Sequence, residues 1–195
     1  PECWGDVTRV IDSEPGKAAI GYSIVVSRQG TVFLADTSVN ETPSSTQLAI
    51  IAKQMVRNAR QMGHEPRVAF LSFSNFGSRE IERTTRIRDA IRILVEEGVD
   101  FEFDGEMQAD MALDYELLKS TYPFCRLTGP ANILIMPGLH SAHISSRLMQ
   151  SLGGVTVIGP VIDGLRMPVQ IVQMGATVSD LVSHAALAAY HSLRR

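Results

Sequence analysis

Seven consecutive residues, Ser72-Phe73-Ser74-Asn75-Phe76-Gly77-Ser78, carry the densest polar chemistry in the chain. They lie between a run that reads as a buried strand and one that reads as a helix. Hydroxyls, an amide and a glycine at a helix mouth supply donors to an anion, which the helix dipole also favours. The same composition also makes an ordinary helix cap. Asp104-Gly105-Glu106-Met107-Gln108-Ala109-Asp110 gathers carboxylates that suit a divalent cation or a solvated turn. Gly159-Pro160-Val161-Ile162-Asp163-Gly164 follows a strand, and its glycines permit close backbone approach to a ligand or a tight turn. His140 and His143, three apart at a helix start, have no Cys or acidic neighbour in sequence, so they read as ordinary histidines rather than metal ligands.

These segments need elements to hold them. Residues 19–27 and 31–36 are β-branched apolar runs around Arg28-Gln29-Gly30, which predicts a hairpin. Pro43-Ser44-Ser45 precedes apolar residues at three- and four-residue spacing, predicting a helix that ends at Gly63. Residues 67–73, 101–104, 132–136, 155–158 and 169–172 read as strands. Residues 81–96, 113–120, 141–152 and 178–193 read as helices. This alternation predicts an α/β fold, a mainly parallel sheet with helices on both faces. Ligands in such folds sit at the carboxyl ends of strands. Residues 1–18, with Pro15 and Gly16, are linker-like, and 19–195 form the domain.

Composition excludes several functions. The 195 residues are 45% hydrophobic and 6% aromatic, with 18 Lys+Arg against 21 Asp+Glu. That balance offers neither the basic face nor the stacking platforms that nucleic acids require. No apolar run approaches the roughly 20 residues of a membrane span, and the start lacks a signal-peptide pattern, so a cytoplasmic protein is expected. Cys3 and Cys125 make no disulfide framework. Dinucleotide, P-loop, zincin and α/β-hydrolase signatures are all missing.

Taken together, the loops are more specific than any one of them. Residues 35–40, 71–78, 104–110 and 127–132, then Ile158-Gly159-Pro160 with Gly164 and Pro168-Val169, resemble the phosphate acetyltransferase/butyryltransferase family in order and spacing. The resemblance covers nearly the whole chain after about residue 20 and implies the isocitrate/isopropylmalate dehydrogenase-like fold of phosphotransacetylases.

Two subgroups differ in detail. The Ser74-Asn75-Phe76-Gly77-Ser78 form is similar to that of the C-terminal domain of bacterial NADP-dependent malic enzymes. Transacetylases usually carry Ser-Thr-Lys-Gly-Ser there, and Asn at the position of His143. They also have an Asp-Leu-Ser-Arg-Gly run where this chain has Ile171-Val172-Gln173-Met174-Gly175, while Asp180 retains the family's acid. A Met cannot neutralise negative charge as an Arg does.

The resemblance therefore implies a regulatory and oligomerising domain that senses acetyl-CoA without acyltransferase activity of its own. Its partners would be an upstream malic enzyme domain of the same polypeptide, which holds NADP and a divalent metal, and further copies of itself. Pro1 in place of Met fits a piece of a longer protein. The candidate ligand-binding residues are Ser74, Asn75, Gly77, Ser78, Asn132, Gly159, Pro160, Gln173, Met174 and Asp180, with no catalytic or metal-binding residue and no cofactor in this chain. An active acyltransferase using Asp180 and the Ser74–Ser78 loop is the first alternative. A ligand-free dimerisation domain, using apolar positions such as Leu181, Leu187 and Tyr190, is the second.

Overall fold

The computed structural model describes residues 7, 9–172 and 175–193, apart from the side chain of residue 191. Cys3, Gln173 and Met174 lie outside the described residues. Six strands form one sheet: β1 (Ile20–Ser27), β2 (Gly30–Ala35), β3 (Arg67–Leu71), β4 (Glu102–Met107), β5 (Ile133–Ile135) and β6 (Thr156–Asp163). The helices are α1 (Ser45–Gln61), α2 (Glu82–Glu97), α3 (Ala109–Leu113), α4 (Tyr115–Thr121), α5 (Leu139–Leu152) and α6 (Val178–Leu193). The strand order is β4-β3-β5-β2-β1-β6. The four strands β4, β3, β5 and β2 are parallel, while β1 runs antiparallel to both β2 and β6.

Strand periodicity sorts the core onto two faces. Phe33, Val68, Phe70, Ile133 and Ile135 join Leu48, Ile51 and Met55 of α1 and Ile87 and Leu94 of α2. Leu34, Ala69, Leu71 and Leu134 join Ala112 of α3, Leu118 of α4 and Ala142 of α5. Helices thus cover both faces. The central strand β5 is buried on both sides, which is why its Ile-Leu-Ile run shows no polar alternation.

Local chemistry sets the boundaries. Ser44 and Gln47 form a capping box at α1, with Gln47 N–H donating to Ser44 Oγ at 3.2 Å and Ser44 N–H to Gln47 Oε1 at 2.8 Å. Gly98 ends α2 in the left-handed region at φ 61°. Residues 12–17, within the stretch read as linker-like, are tied to the exit of β6: Glu14 N–H donates to Gly164 O at 2.8 Å and Arg166 N–H to Asp12 O at 2.9 Å.

Three sequence expectations need correction. The helix expected over 113–120 is α4, Tyr115–Thr121, and it starts later because Asp114 leaves helical geometry and its carboxylate accepts from Leu117 N–H; the short helix α3 before it carried no separate expectation. Residues 169–172 form no strand. The Gln170 side chain takes the place of a neighbouring strand, its Oε1 accepting from Ile162 N–H at 3.2 Å and its Nε2 donating to Ile162 O at 3.4 Å. Gly159-Pro160 is neither a turn nor the end of a strand; it lies inside β6 at a break in register opposite Tyr22 and Ile24.

Replacing Ser44 by Ala removes one half of the α1 capping box, and a loss of about 1 kcal/mol is expected. Urea denaturation of the two proteins, compared at equal m-value, checks it.

Candidate functional site

The helix after β3, α2, covers one face of the sheet, whereas the helix after β5, α5, covers the other. β3 and β5 are adjacent and parallel, so their carboxyl ends form the crevice where open α/β sheets bind ligands. Around this crevice stand the loops after β2, β3, β4 and β5.

Two of these loops are built around buried carboxylates of the protein itself. Asp36, 2% exposed, accepts from the N–H groups of Gly21, Ser38, Val39 and Asn40 and from the Asn40 amide, at 2.5–3.1 Å. Glu106 has no exposed surface, and its Oε1 accepts from Ser74 Oγ and Gly77 N–H, each at 3.1 Å. Ser74 Oγ lies 2.9 Å from Ser78 Oγ and accepts from Arg79 N–H at 3.2 Å. Asn75 and Gln108 pair through Gln108 N–H to Asn75 Oδ1 at 2.7 Å and Asn75 Nδ2 to Gln108 Oε1 at 3.2 Å. Ser74 is 3% exposed, and its hydroxyl is engaged by Glu106, Ser78 and Arg79.

The anion received by the Ser74–Ser78 loop in this structure is therefore Glu106. Its other oxygen faces Arg88 Nε at 3.6 Å. Phe76 adopts φ 44°, in the left-handed region, and its ring packs 4.9 Å from Tyr122 and 5.0 Å from Phe124 instead of reaching into the crevice. Carboxylates of 104–110 are likewise engaged: Asp104 pairs with Arg126 at 3.1 Å and accepts Gly105 N–H, and Asp110 accepts Met111 N–H. Among the described residues no group of three His, Cys, Asp or Glu could hold a metal ion.

Groups suited to an external anion remain at the crevice. Arg86 Nη2 donates to Pro137 O at 2.9 Å, and its Nε is buried without a partner. Next to it, α5 begins at Gly138 with neither a side-chain cap nor an acidic residue in its first turn. Leu139 N–H is taken by Glu41 O at 3.1 Å, so only part of that helix end is satisfied from within. Nothing in the spacing of Arg86 and Arg88 within the α2 pattern marked them as members of this site.

The other sequence-derived residues lie elsewhere. Asn132 sits at the opposite end of the sheet, where its side chain accepts from Arg67 N–H at 2.8 Å and donates to Glu65 O at 2.7 Å. Gly159 faces β1, and a Cβ there would stand 2.9 Å from Tyr22 O. Pro160 follows it within β6. Asp180 is exposed and serves the start of α6: Thr177 N–H and Oγ1 each donate to Asp180 Oδ2 at 2.8 Å. These two hydrogen bonds hold its carboxyl below the usual range, with help from His184 one turn on.

Burial moves two other groups. It pushes the Cys125 thiol up to about 11, which leaves an unreactive side chain packed in the second core face. It lowers His184 below the ordinary imidazole value against the opposing pull of Asp180.

The structure is thus an α/β protein with a six-stranded, mainly parallel sheet, helices on both faces and a crevice at the carboxyl ends of β3 and β5. The family model described as "Phosphate acetyl/butaryl transferase" matches residues 4–189, and the chain belongs to that family. It is 51% identical to the NADP-dependent malic enzyme of Rhizobium meliloti (strain 1021) over 187 residues, 96% of this chain and 24% of that protein. It is 32% identical to the phosphate acetyltransferase of Bacillus subtilis (strain 168), covering 95% of this chain and 58% of that one. A solved phosphotransacetylase from Streptococcus pyogenes superposes with a TM-score of 0.90 at 28% identity, over 98% of this chain and 59% of that one. The chain thus spans about a quarter of the malic enzyme and under two thirds of the transacetylases. No described helix is long and apolar enough to cross a membrane.

Glu106→Gln keeps the shape and the acceptor for Ser74 and Gly77 but removes the charge opposite Arg88. A loss of about 1–2 kcal/mol is expected, read from urea denaturation, because the neutral amide accepts more weakly from Ser74 and Gly77, while Arg88, a third exposed, keeps Glu80 at 3.3 Å. For His184, the unfolded chain takes up a proton near pH 6.5 while the folded chain stays neutral to lower pH. The unfolded state therefore binds more protons, and stability falls as pH drops from 7 to 5. His184→Gln should flatten that part of the profile in urea melts at stepped pH.

Proposed function

We propose that this chain is the regulatory and oligomerising transacetylase-like domain of an NADP-dependent malic enzyme, that it senses acetyl-CoA, and that it does not itself transfer acyl groups. The observation that carries this reading is the 51% identity to a malic enzyme across nearly the whole chain, against 32% to a transacetylase over the same span.

The site's chemistry supports it. The residues that stand where transacetylases carry Ser and Arg are Gln173 and Met174, which offer no cation to a phosphoryl or acyl group. Phe76, at the position of the transacetylase Lys, is packed against Tyr122 and Phe124. Arg86 and the start of α5 keep the capacity to receive an anionic group such as the phosphates of coenzyme A. Sensing without catalysis requires only that acetyl-CoA favour one state of the assembly over another. NADP and the divalent metal of malate decarboxylation belong, on this reading, to another domain of the same polypeptide.

Calorimetry of the full-length protein with acetyl-CoA, paired with malate oxidation rates, tests the proposal. Saturable binding with a lowered malate rate is expected, together with no turnover in a coupled assay for acetyl-CoA formation from acetyl phosphate. Transfer at ordinary enzyme rates would establish the transferase instead, and absence of both binding and any rate effect would leave a purely structural domain.

A further inference from the structure

We draw no further inference here: the strongest candidate, the apolar stripe that Ile144, Leu148 and Leu152 leave exposed along α5, carries nothing because nothing in the structure shows what covers it.

Discussion

A carboxylate with no exposed surface needs hydrogen-bond donors in place of water, and Glu106 imposes that requirement on the loops at the carboxyl end of the sheet. It sits in β4 at the edge of the sheet, and the loop after β3 closes on it through Ser74 and Gly77. Arg88 reaches the other oxygen from α2. One side chain therefore fixes the loop after β3, the start of α2 and, through Asn75 and Gln108, the path out of β4. Asp36 does the same for the loop after β2 with four backbone N–H groups.

This inward use of polar groups bears on function. A family whose transacetylase members usually place a lysine in the loop after β3 here has Phe76, and the ring completes an aromatic cluster with Tyr122 and Phe124. The loop keeps its shape because Ser74 and Gly77 donate to Glu106. The crevice also presents the start of α5 and Arg86, whose partial and full positive charges suit an anion.

Elements whose signal is local were legible in the chain. The α1 capping box, the Gly98 stop and the Ile-Leu-Ile strand each rest on residues a few positions apart, and each is found where its pattern lies. The expected strand at 169–172 misled because its apolar, β-branched run carries no sign of whether a neighbouring strand exists; Gln170 supplies a side chain in that place. Asp114 misled in the other direction, since a carboxylate within a helical pattern can cap a new helix as easily as continue the old one.

The sequence by itself determined the α/β alternation, the loops that carry polar chemistry and the family to which they are similar, because these depend on residue type and short spacing. Only the tertiary structure decided where the loop donors point. Ser74 and Glu106 are 32 residues apart, and Gln54 and Asp163 are 109 apart, so no periodicity connects them. The seven-residue stretch 72–78 has the composition of an anion site, and in the fold its Ser74 Oγ and Gly77 N–H donate to a carboxylate of the chain itself. Which anion it holds was settled by the parallel pairing of β3 with β4, which sets Glu106 beneath it.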